Sequence, residues 1–128
     1  MEFGSTTVIA DLEAGIGTLT RLADQEVDAV LVVVEPTPKS IEVGVRAVGL
    51  VEEKSLGRVV VVASRVQGEE DLATIRAAFP GQEVVPVPVD RAIEEADRHG
   101  LAPLDTAPDA PAVRALVSLA EGLLPAPA

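Results

Sequence analysis

The chain has 128 residues, of which 48% are hydrophobic and 24% charged, and its formal net charge is −11. This composition excludes a disordered chain, and the length suits one domain with a real hydrophobic core. The acidic charge opposes binding to nucleic acid or to anionic membranes, and the absence of cysteine excludes disulfides and thiolate metal sites. With no signal peptide before the first apolar run, we expect a cytoplasmic protein that uses neither nucleic acid nor a membrane as a partner.

The two ends of the chain differ from the rest. Glu2-Phe3 and Gly4-Ser5 are pairs that two common cloning sites encode, so we interpret residues 1–5 as vector sequence. Residues 125–128, which read Pro-Ala-Pro-Ala, are expected to form a flexible tail. Residues 6–124 are then a single α/β domain, and its abrupt start inside a strand pattern suggests a fragment.

Four valine-rich apolar runs alternate with amphipathic stretches along the chain. The apolar runs predict strands at residues 6–11, 29–35, 58–64 and 83–89. The amphipathic stretches predict helices at residues 18–25, 40–54, 69–79, 91–99 and 111–123. This alternation predicts a parallel sheet of about four strands with flanking helices, joined by right-handed crossovers. In such a sheet, ligands bind at the carboxyl ends of the strands.

The segment IADLEAGIGT, residues 9–18, is the first candidate for chemistry. A strand-terminal Asp11 can hold a Mg²⁺-bound water, and Gly15 and Gly17 can present backbone amides to an anion before a helix that starts at Thr18. The alternative is a tight turn, because Asp and Gly also serve as turn and cap residues. The segment has no lysine, so we do not expect it to hold a phosphate tightly by itself.

Residues 6–123 resemble, nearly end to end, the second half of the MinD/ParA-type P-loop ATPases. The closest likeness is to the nickel-insertion accessory ATPases of carbon monoxide dehydrogenase. DLEAGIGTLTR is similar to their Asp-Met-Glu-Ala-Gly switch segment, VVVEPTPKSIEVGVRAVGL to the next strand and helix, and PVDRAIEEADRHGLAPLD to the nucleotide-base loop and the helix after it. The resemblance implies a partial P-loop NTPase domain with a Rossmann-like, three-layer architecture.

The resemblance also implies roles for residues near the strand ends. Asp11 would serve Mg²⁺ and the attacking water, Gly15 would contact the terminal phosphate, and residues 35–37, Glu35 to Thr37, would lie near a subunit interface. We therefore expect ATP or ADP with Mg²⁺ as the ligand. A metalloenzyme client is implied for full-length members of the family.

The base-binding residues are only partly those of the family. By resemblance, Pro88, Val89 and Asp90 line the adenine pocket. After the preceding strand the family has Asn-Lys, whose Asn side chain reads the base, whereas this chain has Ser64 and Arg65. These two residues are the candidates for the same position.

No G-x-x-x-x-G-K-[ST] sequence occurs in the 128 residues. In P-loop ATPases this loop supplies the amides and the lysine that cradle the phosphates. In the family it lies upstream of the resembling part, as does the Cys-x-Cys metal motif. We therefore expect no catalysis and no tight nucleotide binding by the chain alone, and neither nickel nor another metal bound to it.

Two other functions stay open. The chain can be a non-catalytic α/β module that binds copies of itself or another protein. It can also be a flavodoxin-like or receiver-like domain with Asp11 as its acidic site. His99, the sole histidine, lies near a predicted helix end, where a partner of the helix dipole is more typical than a catalyst.

The faces of the predicted sheet bear on assembly. In the family the P-loop strand lies between the strands that end at Asp11 and Glu35, so this chain lacks a central strand. Consecutive strands with right-handed crossovers place the connecting helices on one face, which leaves the helix at residues 111–123 to cover the other. One helix is too little cover, so we expect a homo-oligomer, most simply a two-fold dimer packed sheet to sheet or exchanging elements.

Overall fold

The computed structural model of the protein describes residues 7–12 and 27–124. Strands and helices alternate in the longer of these two ranges. They are β1 (Ala29–Val34), α1 (Pro38–Glu53), β2 (Arg58–Val66), α2 (Glu69–Ala78), β3 (Glu83–Pro88), α3 (Arg91–Arg98), α4 (Pro103–Thr106) and α5 (Pro111–Leu123). The predicted α/β class is confirmed. The short helix α4 was not predicted, because its four residues are too few to show a helical pattern.

The strands form one parallel sheet in the order β1-β2-β3. Val33 of β1 is opposite Val62 of β2, which in turn is opposite Val85 of β3. The pairing of β2 with β3 is irregular between Ser64 and Val66, where a β-bulge interrupts the register. Parallel strands need a crossover between them, and the helices α1 and α2 supply it.

The predicted strand at residues 6–11 is wrong for the part that the structure describes. Residues 7–12 have no regular secondary structure and are exposed, with Ile9 exposed to 89%. The described sheet therefore has three strands instead of four. Valine and isoleucine favour strands mainly by packing against neighbouring strands, and no described strand pairs with this segment. The predicted helix at residues 18–25 lies outside the described residues.

The larger part of the core lies on one face of the sheet, under α1 and α2. Strand residues that point to this face alternate along β1 and β2, and the helices add residues at helical spacing. Its buried members are Val32, Val34, Val48, Val61, Ala63, Val66, Leu72, Ile75 and Phe79. This face is continuous because both crossover helices pack on the same side of the sheet.

The opposite face carries a smaller cluster under α5. Val62 of β2 and Val87 of β3 are buried there with Ala112 of α5. On the same face of β1, Leu31 and Val33 stay exposed to 42% and 63%. The prediction that the connecting helices share one face and the last helix covers the other is thus confirmed for these three strands, and the cover does not extend to β1.

Two features fix how the helices start and how α5 is held. Thr37 caps α1, accepting from the Ser40 N–H at 3.3 Å, and Pro38 follows it at the first helical position. The guanidinium of Arg58 binds Glu83 at 2.7 Å and the carbonyl of Gly122 in α5 at 3.3 Å.

In the described ranges there is no helix with the length and apolarity needed to cross a membrane.

Candidate functional site

The carboxyl edge of the sheet brings together two segments that are far apart in sequence. Ser64 near the end of β2 is opposite Val87, and Val66 is opposite Pro88, the last residue of β3. Beyond the strands, the Val89 N–H donates to the Val66 carbonyl at 3.2 Å. The pairing of β2 with β3 therefore places Ser64 and Arg65 directly beside Pro88, Val89 and Asp90.

Arg65 lies in the bulge of β2 with a left-handed backbone, φ 58°. A side chain with a Cβ rarely adopts this conformation, and the residue is skipped in the pairing with β3. Its guanidinium forms an ion pair with Glu35 at 3.5 Å, and the two side chains are 64% and 46% exposed. An ion pair this exposed adds at most about 1 kcal/mol to stability, so it leaves Arg65 available to a ligand.

Asp90 joins two helices. Its Oδ1 accepts from the Ala92 N–H in the first turn of α3, and its Oδ2 accepts from the Ala112 N–H in the first turn of α5, both at 3.0 Å. Both carboxylate oxygens are therefore engaged with backbone. The geometry supports a structural role for Asp90 in holding the loop after β3, with Val89 beside it 40% exposed.

The turn after β1 is fixed by its own side chains. The Glu35 N–H donates to the Ser40 hydroxyl at 2.9 Å, and the Thr37 N–H donates to the Glu35 carbonyl at 2.8 Å. This turn holds the Glu35 carboxylate near the end of β2, where it meets Arg65. The position of residues 35–37 near a subunit interface stays a prediction.

The switch-like segment is separate from this edge as far as it is described. Asp11 is exposed and belongs to no strand, so its expected place at a strand end is not found. Residues 7–12 pair with none of the described strands, so their backbone is not part of the described sheet. The other predicted residues of this segment, Gly15, Gly17 and Thr18, lie outside the described residues.

A cleft of about 160 Å³ lies between α3 and α4. Ala96 and Leu101 form part of its wall, and its polar groups are Glu95, His99 and Thr106. Small-molecule pockets are typically about 300–1,000 Å³, so this cleft is too small to enclose a nucleoside. His99 is also the C-cap of α3, as its position near a helix end predicted.

The chemistry-bearing side chains of residues 7–12 and 27–124 all lie at the surface or at strand ends. No polar or charged residue is buried in this part of the chain. It also contains no group of three or more His, Asp or Glu side chains placed to hold a metal. A ligand of this region would therefore be held by exposed groups and by backbone.

Two contacts of the site were missed in the sequence. The ion pair of Glu35 with Arg65 depends on the bulge in β2. No pattern in the sequence predicts that an arginine has a positive φ there. The Asp90 cap on α3 has a local signal, an Asp directly before a helical pattern. Its second bond, to Ala112, joins residues 22 apart and has no local signal.

A relative of known name is similar to this chain over most of this chain's length. No protein-family model matches the chain. The chain is 28% identical over 102 residues to the carbon monoxide dehydrogenase accessory protein CooC of Rhodospirillum rubrum. The aligned part covers 79% of this chain and 39% of CooC, so the chain spans well under half of that relative. The similarity supports a relationship to the ATPase family that the motifs resemble, and the correspondence to its second half stays a prediction.

Proposed function

We propose that the chain is a nucleotide-binding part of a MinD/ParA-like ATPase domain that binds adenine nucleotides through the base and does not hydrolyse ATP alone. The observation that carries the proposal is the register of β2 with β3. It brings Ser64 and Arg65 beside Pro88, Val89 and Asp90, the two segments to which the resemblance assigns the base. The similarity to CooC over most of this chain supports the same relationship.

The exposed groups at this edge suit a planar aromatic base. The Arg65 guanidinium is planar and exposed, and such a group stacks on aromatic rings. Val89 offers an exposed apolar side chain beside it, and Ser64 adds a hydroxyl. Asp90 contributes by fixing the loop, because both of its carboxylate oxygens are engaged with helix N-termini.

The described residues do not fit the phosphate end of ATP. They include no glycine-rich loop with a lysine, and the acidic charge of the chain repels a polyphosphate. Asp11, the residue assigned to Mg²⁺ by resemblance, is exposed and outside the sheet. We therefore expect no hydrolysis by the chain alone, and we expect Mg²⁺ and the phosphates to add nothing to affinity.

Titration of adenosine and Mg-ATP, followed by backbone amide NMR shifts, tests the proposal. Since about 0.3 kcal/mol per non-hydrogen atom is the upper bound for ligands of drug size, a ligand of adenosine's size binds at best with a Kd of roughly 0.1 mM. We expect both ligands to shift the amides of residues 64–66 and 89–90, with ATP binding no tighter than adenosine. Absence of shifts at about 1 mM adenosine, ten times that Kd, contradicts the proposal.

A pair of variants separates base stacking from general charge effects. Arg65→Ala removes the proposed stacking group and is expected to weaken adenosine binding about tenfold, since base stacking contributes about 1–3 kcal/mol. Arg46→Ala is the matched control, because Arg46 is also 64% exposed and also pairs with a glutamate, Glu42, at 3.1 Å. Equal effects of the two variants exclude a specific role for Arg65.

A non-catalytic self-assembly module is the second candidate function. It is favoured by the exposure of Leu31 and Val33 on the face of β1 that α5 does not cover. If adenosine and Mg-ATP shift no backbone amide and the chain associates with itself as its concentration rises, this function is supported over nucleotide binding.

A further inference from the structure

Glu35, the residue directly after β1, is held in place by its backbone. Its N–H donates to the Ser40 hydroxyl at 2.9 Å, and its carbonyl accepts from the Thr37 N–H at 2.8 Å. The side chain takes no part in these two bonds, and its Oε1 accepts from Nη1 of Arg65 at 3.5 Å. The turn after β1 therefore presents the carboxylate from a fixed point, and a change of the carboxylate leaves both bonds of the turn in place.

Arg65 is also held by its backbone. Its neighbours Ser64 and Val66 pair with β3, whereas Arg65 is skipped in that pairing and has a φ of 58°. A β-bulge of this kind changes the direction in which a side chain leaves the strand. Both ends of the ion pair thus start from fixed backbone, and the long, 64% exposed side chain of Arg65 is the part that can move.

The ion pair leaves the flat faces of the Arg65 guanidinium accessible. The N–H groups of a guanidinium lie in its plane, so a carboxylate that accepts from one of them is at the rim of the group. A nucleobase that stacks on an arginine occupies a flat face instead. The Glu35 carboxylate and a stacked base can therefore contact Arg65 at the same time.

We propose that Glu35 is a positioning residue for nucleobase binding, one that holds the Arg65 guanidinium in place for stacking and does not contact the base. This role rests on the proposed function, in which Arg65 stacks on adenine. A long side chain that is already ordered before the ligand arrives loses less conformational entropy when the ligand binds. Glu35 therefore raises the affinity for an uncharged nucleoside through the order that it imposes on Arg65.

The variant Glu35→Gln removes the charge that attracts Arg65 and keeps the size of the side chain. We expect it to weaken adenosine binding about two- to fivefold, the range that an exposed ion pair spans. Glu42→Gln is the matched control, because Glu42 also pairs with an arginine, Arg46, at 3.1 Å with both side chains exposed. The two variants change the net charge equally, and we expect the control to bind adenosine as the wild type does. Backbone amide NMR titration measures all three affinities.

A double-mutant cycle with Arg65→Ala separates positioning from a direct contact of Glu35 with the base. If Glu35 acts only through Arg65, Glu35→Gln has no further effect once residue 65 is alanine. Titration to about 5 mM adenosine reaches the Kd of roughly 1 mM or above that is expected for Arg65→Ala. An equal loss of affinity in both backgrounds overturns the proposal, because Glu35 then acts on the base by another route.

Salt and side-chain dynamics test the ion pair itself. At about 1 M salt the Debye length is about 3 Å, so attraction between exposed charges is largely screened. We expect the wild type and Glu35→Gln to differ in adenosine affinity at low salt and to converge at about 1 M. Without ligand, we expect a higher heteronuclear NOE of the Arg65 Nε–Hε group in the wild type, since this NOE reports order on the ps–ns timescale. Equal NOE values, or an affinity difference that salt does not reduce, overturn the proposal.

The outcomes distinguish a failure of this role from a failure of the proposed function. If adenosine shifts no amide of the wild-type chain, both are wrong. If the wild type binds adenosine and Glu35→Gln binds it equally well, the base site stands and Glu35 does not position Arg65. Tighter binding by Glu35→Gln also overturns the proposal, because it shows that Glu35 competes with the base for Arg65.

Discussion

The carboxylate of Asp90 accepts a hydrogen bond from the backbone N–H of Ala112, 3.0 Å away and 22 residues further along the chain. The same carboxylate caps α3 through Ala92. The first N–H groups of a helix have no partner within the helix, so one side chain satisfies two helix starts. This contact ties the start of α5, which covers part of the second sheet face, to the loop after β3.

Removing the Asp90 carboxylate is therefore expected to destabilise two helices at once. We expect Asp90→Ala to lower the free energy of unfolding by about 2 kcal/mol, since one cap contributes about 1 kcal/mol. Asp90→Asn keeps one acceptor oxygen and is expected to lose about half as much. Chemical denaturation measures both, with the exposed Asp97→Ala as a control expected to stay within about 0.5 kcal/mol of wild type. If both variants lose only about 1 kcal/mol of unfolding free energy, the value of one cap, Asp90 does not cap both helices.

Two glycines of α1 are expected to respond oppositely to the same substitution. A Cβ on Gly44 would lie 2.6 Å from Cγ2 of Val34, because α1 packs closely on β1, whereas a Cβ on Gly49 meets no atom of the described residues within 4 Å. We expect Gly44→Ala to destabilise by about 1–3 kcal/mol through overpacking. Gly49→Ala is expected to stabilise by about 0.5–1 kcal/mol through helix propensity. Thermal unfolding of the pair checks this, and a stabilised Gly44→Ala contradicts the close approach.

The backbone of Arg65 has a conformation that favours glycine. At a left-handed φ of 58°, glycine is favoured over alanine by about 1 kcal/mol, so Arg65→Gly is expected to unfold at higher denaturant than Arg65→Ala. Both variants lose the ion pair with Glu35, so the comparison isolates the backbone. In α1 the order reverses, and Arg46→Ala is expected to be more stable than Arg46→Gly by about 1 kcal/mol. If alanine is more stable than glycine at both residue 65 and residue 46, the left-handed backbone of Arg65 is wrong.

The sequence predicted the elements that have their own local signal. Pro111 and the apolar pattern after it gave the bounds of α5, and the valine runs gave the three paired strands to within two residues. The strand at residues 6–11 failed because pairing, and not composition, makes a strand. Residues 7–12 have strand-like composition, pair with none of the described strands and are irregular.

The candidate site was predictable only in part for the same reason. Resemblance to a family supplied the positions Ser64, Arg65 and residues 88–90, and the register of β2 with β3 places them together. The pairing of Arg65 with Glu35 and of Asp90 with Ala112 depends on a bulge and on helix docking. The bulge and the docking of α5 are both set by the tertiary fold. Local sequence patterns therefore do not predict these two contacts.

We expect the purified chain to hydrolyse no Mg-ATP above the rate of a mock purification. Phosphoryl transfer depends on amides, a lysine and a metal that neutralise the developing charge, and the 128 residues contain no G-x-x-x-x-G-K-[ST] loop to supply them.

A variant of Asp11 tests whether any observed ATP hydrolysis comes from this chain or from a contaminant. A residue that positions an attacking water must be held to within about 0.5 Å, and Asp11 lies in an exposed segment outside the sheet. Asp11→Ala is therefore expected to leave the background rate unchanged, as is the control Asp109→Ala in the exposed turn before α5. Phosphate release that Asp11→Ala abolishes and Asp109→Ala preserves would show that Asp11 belongs to a working site, against this expectation. In that case the base-only mode of binding is wrong, and ATP is expected to bind more tightly than adenosine in the NMR titration.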